Sequence, residues 1–358
     1  MQRGINEVMG SNQVFQPNKN LKLFVFGDNY ADTGNMRHGA VSWKSPYGFT
    51  FPGKPSGRYS DGLIATDFLA KVLGAKSPHL WRTHGRSKLK LNRGMNFAFG
   101  GSGVYDSPAE KSTNMSIQVS FLVDLFLAGR VYTYDDLSSS DVALLSYSGN
   151  DYFGYIAENP KFAAYPAFVQ YIVDDIKQTL WKLDGLKFKN IAVTSLQPIG
   201  CIPHYTAASS FKSCNESYSE LVELHNRLLK NVVAKLNEEA RLRKKGQRNF
   251  FIIDIHKAFM TVLKKKGENP KVTLKLSILN PSCKVFPVTG STRFKDMLKP
   301  CCDGDCANVD SKGAKKYSLC DDPKSAFFWD DFNPTQEGWK SIYSVLGNPL
   351  TKSTSTKG

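Results

Sequence analysis

Short polar segments that follow apolar runs carry the residues of this chain that could do chemistry. One is Gly27-Asp-Asn29, which follows the apolar run Leu21 to Phe26. Another is Asp330-Asp-Phe-Asn333, near the end of the chain. A carboxylate can accept a proton, but the amides of Asn29 and Asn333 cannot, because the nitrogen lone pair is delocalised into the carbonyl. These two segments therefore offer hydrogen-bonding groups without a nucleophile or a base.

Two further segments of this kind contain donors for a negatively charged oxygen. Gly100-Gly-Ser-Gly103 follows the apolar run Met95 to Phe99. Gly149-Asn-Asp151 follows the run Asp141 to Ser148. Glycine N–H groups and asparagine side-chain amides are the donors from which oxyanion holes are built.

The apolar runs alternate with segments of helical spacing. We predict five strands, at residues 21–26, 95–99, 141–148, 190–196 and 249–255. A helix is predicted from Gly62 to Leu73, with Asp61 as its N-cap. The alternation predicts an α/β fold in which helices cover both faces of a five-stranded parallel sheet, a three-layer α/β/α sandwich. Ligands of such folds bind at the carboxyl ends of the strands, so we expect the polar segments to share one cleft.

Four segments resemble, in the same order, characteristic blocks of the plant GDSL esterase/lipase family, a branch of the SGNH hydrolases. They are residues 27–35, 96–103, 149–151 and 328–339. The stretches 52–62 and 200–203 are also similar to plant members. The resemblance covers about residues 21–346, and it implies a single SGNH-hydrolase-like (flavodoxin-like) domain over that range.

The resemblance also implies which catalytic groups are missing. In this family the residue after Gly-Asp in the first block is the nucleophilic serine, and here it is Asn29. The last block carries Asp-x-x-His, where histidine is the base, and here it reads Asp330 to Asn333. In another hydrolase, loss of the nucleophile or the base lowers turnover about 10⁶-fold. A degenerate triad of Asn29, Asp330 and Asn333 therefore implies that ester hydrolysis is lost or strongly reduced.

The oxyanion residues of the family are matched more closely. Gly101 corresponds to the glycine of the second block, with Gly100 as the alternative, and Asn150 corresponds to the asparagine of the third block. Asp28 is expected beside this ligand-binding site. A buried aspartate at position 28, 330 or 331 could carry a raised pKa and act as a general acid. The competing interpretation is that Asp28 stabilises its own loop, Asp330 is a relic of the triad and Asp331 is exposed.

The leading hypothesis is a non-hydrolytic binding or accessory protein for a small acyl or phenolic ligand or a protein partner. One alternative is an enzyme of plant specialised or lipid metabolism that uses the oxyanion residues and an aspartate for proton transfer, cyclisation or isomerisation. Another is a carboxylic ester hydrolase or acyltransferase with substituted catalytic residues. No cofactor is expected under any of the three, and we expect a monomer.

Cysteine usage indicates disulfides. The seven cysteines are Cys201, Cys214, Cys283, Cys301, Cys302, Cys306 and Cys320. The cluster from 301 to 306 could suggest zinc, but no histidine lies nearby and the C-x-x-C spacing is missing. We therefore predict a disulfide-braced excursion at residues 266–325 and no metal. Because seven is odd, at least one thiol is free or paired between chains.

Two glycosylation motifs, at Asn114 and Asn215, agree with a secreted protein or one in the secretory pathway. Residues 1–20 contain no apolar signal segment, so a cytoplasmic location is the alternative. We expect residues 1–20 to be a disordered segment or an expression remnant. Residues 347–358 are expected to be a disordered tail.

The chain is basic, with 47 Lys and Arg against 32 Asp and Glu, a formal charge of +15. The densest basic runs, 241–248 and 264–266, lack interleaved aromatics and match no nucleic-acid module, so we interpret them as solvated helix ends. No apolar stretch is long enough to predict a transmembrane helix. Nucleic acid is therefore not an expected partner.

Overall fold

The computed structural model describes residues 21–84, 93–104, 113–128, 132–137, 141–159, 165–243, 249–264 and 294–347. The two ends predicted to be disordered lie outside these residues, apart from Gly347. Cys283 also lies outside them, as does the first half of the predicted cysteine-rich excursion.

Within the described residues, the centre of the molecule is a six-stranded parallel sheet. Its strands are β1 (Leu23–Phe26), β2 (His79–Leu80), β3 (Met95–Asn96), β4 (Val142–Leu145), β5 (Asn190–Thr194) and β6 (Asn249–Ile253). They lie in the order β2-β3-β1-β4-β5-β6, and every neighbouring pair is parallel. All five predicted strands are present. The sixth, β2, is an edge strand too short to form an apolar run.

Helices cover both faces of this sheet. They are α1 (Ala65–Val72), α2 (Met115–Leu127), α3 (Asn150–Glu158), α4 (Tyr165–Gly185), α5 (Pro203–Thr206), α6 (Ser219–Leu242), α7 (Ile255–Lys264) and α8 (Gln336–Leu346). Phe24 and Phe26 of β1 pack in one core with α2, α4 and α6. Leu23 and Val25 pack in the other, with α1, α7 and α8. Because successive strand residues point to opposite faces, β1 serves both cores, and the predicted three-layer α/β/α fold is confirmed.

None of these described helices is long and apolar enough to cross a membrane. The longest, α6, has a buried stripe that includes Leu229, Val233 and Leu236, while most of its other residues contact solvent. This pattern is that of an amphipathic helix lying on a core.

Helix α1 begins later than predicted, at Ala65. The backbone N–H of Ile64 donates to the carboxylate of Asp67 at 3.1 Å, which caps the first turn. Asp61, the predicted N-cap, instead accepts a hydrogen bond from the N–H of Gln336 at 2.7 Å. The carboxylate of Asp61 therefore ties its loop to the first residue of α8, far away in the sequence.

The cysteine-rich excursion contains strands from residue 296 onward. They are β7 (Asp296–Pro300), β8 (Cys302–Val309) and β9 (Lys315–Leu319), and β10 (Ala326–Phe328) follows them. Strands β8 and β9 form an antiparallel hairpin, and β7 pairs in parallel with β10. The described disulfides are Cys201–Cys214, Cys301–Cys320 and Cys302–Cys306. The prediction of disulfides is confirmed.

Candidate active site

The polar segments meet at the carboxyl ends of the central strands. Asn29 follows β1, Gly101 follows β3, and Asn150 is the first residue of α3, directly after β4. The hydroxyl of Tyr30 donates to the backbone carbonyl of Phe332 at 3.1 Å. This contact places the segment that ends in Asn333 against the segment that contains Asn29, although they lie at opposite ends of the chain.

The side-chain oxygen of Asn29 lies between the two predicted oxyanion donors. The N–H of Gly101 donates to Asn29 Oδ1 at 2.7 Å, and Asn150 Nδ2 donates to the same oxygen at 3.3 Å. Asn150 Nδ2 also donates to the carbonyl of Ser102 at 2.8 Å, which fixes its orientation. Donors in this arrangement stabilise a negatively charged substrate oxygen in acyl transfer. Here an oxygen of the chain itself occupies them.

Of the two candidate glycines, Gly101 is the one that faces Asn29. The N–H of Gly100 donates instead to Asp32 Oδ2, at 2.9 Å. The same carboxylate accepts the N–H groups of Gly34 and Asn35 at 2.7 and 2.6 Å. Burial raises the pKa of Asp32 to about 6, against the effect of these hydrogen bonds. Asp32 therefore orients the loop after β3, a role that its sequence position did not reveal.

Asn333 binds Asp330 with both its side chain and its backbone. Its Nδ2 donates to the two carboxylate oxygens at 2.9 and 3.0 Å, and its N–H donates to Oδ1 at 2.7 Å. The hydroxyl of Tyr47 donates to Asp330 Oδ2 at 2.8 Å. Burial raises the pKa of Asp330, while these donors act in the opposite direction. The carboxylate is thus surrounded by neutral donors.

One oxygen in this group lacks a donor. Asn333 Oδ1 is buried and has no hydrogen-bond partner within the described part of the chain. The side chain itself is only 3% exposed. The amide orientation that satisfies Asp330 therefore leaves the carbonyl oxygen of Asn333 desolvated, at an energetic cost.

Asp28 lies completely buried beneath Asn29. Its Oδ2 accepts the N–H of Ser148 at 2.6 Å, and its Oδ1 accepts the N–H of Tyr30 at 3.2 Å. Burial raises the pKa of Asp28 to about 7, despite these hydrogen bonds and with a smaller contribution from the nearby charge of Asp151. The contacts connect the loop after β1 to the loop after β4, and both carboxylate oxygens are engaged.

Asp331, expected to be exposed, is half-buried. Burial raises its pKa to about 6, and the charges of Asp330 and Asp303 act in the same direction. Its backbone carbonyl accepts the N–H of His204 at 3.0 Å. Asp331 is therefore a carboxyl group of altered acidity that solvent still reaches.

Two histidines that could in principle act as a base make other contacts. His38 stacks on Trp43 with ring centroids 4.3 Å apart. His225 is buried, shares a hydrogen bond of 2.8 Å with the hydroxyl of Tyr152, and has its pKa lowered to about 3 by burial. None of the hydrogen bonds described in the structure joins a histidine side chain to Asn29 or Asp330. Neither His38 nor His225 therefore supplies the missing base.

Aromatic side chains surround the segment that carries Asn333. Phe332 contacts Phe153 of α3 and stacks with His204 of α5, with ring centroids 5.1 and 4.9 Å apart. Tyr205 contacts both Phe153 and His204, at 6.2 and 4.8 Å. These rings are partly exposed. They form a group of planar side chains beside the segment that carries Asn333.

Two other predicted features can be located. Asn114 and Asn215 are both half-buried, and their side chains accept the N–H groups of Ile117 and Ser217 at 2.9 and 3.1 Å. Among the described residues, no group of three or more His, Cys, Asp or Glu could hold a metal ion.

The sequence is similar to known proteins along almost its whole length. The profile of the family described as "GDSL-like Lipase/Acylhydrolase" matches residues 23–346. "GDSL esterase/lipase At5g03590" from Arabidopsis thaliana is 65% identical over 350 residues, which are 98% of this chain and 95% of the relative. "GDSL esterase/lipase At5g03600" from the same plant is 61% identical over 344 residues, 96% of this chain and 98% of the relative.

Solved structures are more distant. The acetylxylan esterase Axe2 from Geobacillus stearothermophilus has a TM-score of 0.35 and 15% identity, covering 70% of this chain and 83% of that chain. A similarity of this size does not bear on the function of the chain.

Proposed function

Since the chain belongs to the GDSL-like lipase/acylhydrolase family, we propose that it is a member with a degenerate catalytic site. It does not hydrolyse esters through an acyl-enzyme, and it acts as a binding or accessory protein. One observation carries this proposal: Asn29 Oδ1 accepts hydrogen bonds from both Gly101 and Asn150. The group at the position of the nucleophile is thus an acceptor that fills the oxyanion site.

Nucleophilic attack from this position is chemically disfavoured. An amide nitrogen has its lone pair delocalised into the carbonyl, and the oxygen of Asn29 points at two donors. A substrate carbonyl would have to displace that oxygen before it could be polarised. The site therefore can neither form the covalent acyl-enzyme bond nor stabilise the negative charge that develops on the substrate oxygen.

General-base catalysis is disfavoured for an independent reason. Asn333 is bound to Asp330 through its amide, and an amide does not accept a proton near neutral pH. Asp330 is buried and already accepts from Tyr47. A serine restored at position 29 alone would therefore lack a group to activate it.

Binding remains available to the same cleft. The partly exposed rings of Phe153, His204 and Phe332 can stack against a planar group. A ligand oxygen can replace Asn29 Oδ1 as the acceptor of the Gly101 N–H and of the Asn150 amide. A small acyl or phenolic ligand, or a protein segment with such a side chain, fits this combination. The three disulfides support a location in the secretory pathway.

Hydrolysis of p-nitrophenyl acetate by four proteins tests the proposal. They are the unaltered protein, N29S, N333H and the double variant N29S/N333H. We expect turnover only from the double variant, because each single change leaves one catalytic group missing. Adding D330N to the double variant is the control, since the gained activity should fall when the new histidine loses its orienting carboxylate.

Other outcomes of the same assay are informative. Ester cleavage by the unaltered protein with a trapped acyl-enzyme would overturn the proposal and favour a hydrolase with substituted residues. Activity of N29S alone would show that another group serves as the base.

A second candidate function rests on Asp331. Its half-buried carboxyl group has a pKa of about 6, which suits proton transfer near neutral pH. A substrate screen by chromatography and mass spectrometry would detect isomerisation as a change in retention at constant mass. Turnover lost in D331N but kept in D321N, which changes an exposed carboxylate nearby, would favour this candidate over the binding protein.

A further inference from the structure

An exposed aromatic loop lies between the first polar segment and helix α1. This loop, residues 48–53, carries Phe49, which is 60% exposed, and Phe51, which is 44% exposed. Among the described phenylalanines these are the two that are largely exposed. Neighbouring large apolar side chains that face solvent together usually mark a contact surface.

The aromatic loop is held firmly in this position. The N–H of Gly53 donates to the carbonyl of Gly48 at 3.0 Å, which closes the loop. The N–H groups of Thr50 and Phe51 both donate to the carbonyl of Asp61, at 2.7 and 3.0 Å. The exposed rings are therefore a property of an ordered backbone, which presents them outward without a further ordering cost.

The exposed charged residues that flank the aromatic loop in the sequence have one sign. Residues 33–60 contain no aspartate or glutamate. Lys44 and Lys54, on either side of the loop, are exposed, and neither forms an ion pair within the described part of the chain. Arg37 is also exposed. Exposed phenylalanine rings flanked by lysines are complementary to a surface with an apolar interior and anionic groups on its outside.

We infer that the aromatic loop docks on an anionic lipid bilayer. Phe49 and Phe51 enter the interface between headgroups and acyl chains, and Lys44 and Lys54 contact the anionic headgroups. Two phenylalanine rings offer at most about 500 Å² of surface. A stable protein interface needs about 800 Å² from each partner, so the patch suits a shallow membrane contact better.

The docked loop is connected to the cleft through Tyr47. This residue directly precedes the loop, is buried, and donates its hydroxyl to Asp330 at 2.8 Å. A bilayer that holds the loop therefore holds the segment from Asp330 to Asn333 near its surface. The inference concerns where the protein binds and does not depend on whether the cleft hydrolyses esters.

Sedimentation with sucrose-loaded vesicles tests the inference on the full chain. The vesicles are phosphatidylcholine alone and phosphatidylcholine mixed with phosphatidylserine. We expect the unaltered protein to bind the mixed vesicles more strongly. Changing both rings, F49S/F51S, should weaken binding at least about tenfold, because the apolar burial is removed. K44Q/K54Q should weaken binding to mixed vesicles by roughly fivefold for each lysine and leave binding to neutral vesicles unchanged.

Matched variants on the helices show whether vesicle binding depends on the aromatic loop or on exposed aromatic rings and positive charge in general. Y171S/W181S removes two exposed aromatics of α4, and K235Q/K257Q removes two exposed lysines of α6 and α7. Both should bind vesicles as the unaltered protein does. Thermal unfolding of every variant checks that the fold is kept, and F49W should show a blue shift of its added fluorescence on vesicle binding.

Three results would overturn the inference. They are absence of the unaltered protein from the pellets of both vesicles, equal binding by F49S/F51S, and an equal loss in the α4 control. Loop-dependent retention on an insoluble polysaccharide or another protein, without vesicle binding, would also overturn it and assign the surface to that partner.

Discussion

The side-chain oxygen of Asn29 lies 2.7 Å from the backbone nitrogen of Gly101 and accepts its hydrogen bond. Asn150 donates to the same oxygen at 3.3 Å. Hydrogen bonds of this kind contribute to stability, so the amide at position 29 stabilises the loops that it joins.

Removing this amide should destabilise the protein in a way that a small carboxylate repairs. We expect N29A to lose about 1–3 kcal/mol of unfolding free energy, because two donors lose their acceptor. Acetate should restore part of that loss by binding the donors, and it should not stabilise the unaltered protein. Urea unfolding in sodium acetate and in sodium chloride at equal ionic strength measures the difference.

The control for this experiment is N237A. The amide of Asn237 binds the backbone N–H and carbonyl of Phe250, both at 2.9 Å, far from the cleft. This variant should also be destabilised but should not respond to acetate. An equal acetate response in N237A and N29A would show that the anion acts elsewhere.

A carboxylate at position 333 should make stability depend on pH. Asn333 Nδ2 lies 2.9 Å from Asp330 Oδ1, so N333D brings two buried carboxyl groups into contact and the pKa of at least one must rise. The native state then holds more protons than the unfolded state, and stability falls as pH rises. Urea unfolding over a pH series should show this fall in N333D. N333A, which adds no charge, should not share it, and parallel profiles for the two variants would contradict the argument.

Asp28 should give the unaltered protein its own pH dependence. Burial raises the pKa of Asp28 from 3.8 to about 7, so its contribution to stability is complete below the lower value and is lost as pH rises through the higher one. A shift of this size corresponds to about 4 kcal/mol. We expect D28N to flatten the profile, with a smaller slope left from Asp32 and Asp331, whose pKa values burial raises to about 6. An unchanged slope in D28N would assign the dependence to other groups, and D321N gives the reference for the same change at an exposed site.

The disulfides should differ in their effect on stability. Cys301–Cys320 closes a sequence separation of 19 and Cys302–Cys306 a separation of 4. Loop closure predicts that C301S/C320S lowers the unfolding free energy by about 3 kcal/mol, more than C302S/C306S does. Each change places serine at one buried and one partly buried position, so the comparison isolates the length of the closed loop. Denaturant unfolding measures it, and the reverse order would contradict the loop-closure explanation.

The sequence predicts much of the central fold because the relevant signals are local. The apolar runs that form β1, β4, β5 and β6 each end in the polar or glycine-rich residues that a strand-to-loop transition requires. The parallel sheet then brings Asn29, Gly101 and Asn150 to one edge. For this reason the motif positions predict which of these residues come together at that edge.

Long-range contacts explain what the sequence does not predict. Tyr47 bonds to Asp330 across 283 positions of sequence, and Asp61 caps α8 rather than α1. Strand β2 is only two residues long and exists because β3 lies beside it. These features depend on which loops meet after folding. The sequence around a polar loop residue does not identify its hydrogen-bond partner.

Labelling with a fluorophosphonate followed by intact-mass spectrometry tests the central claim most directly. The probe forms a covalent adduct with an activated serine and needs both the nucleophile and the base. We predict no adduct on the unaltered protein and a single adduct on N29S/N333H, located by peptide mapping at residue 29. A stable adduct on the unaltered protein, at any residue, would contradict the account of a site without its nucleophile.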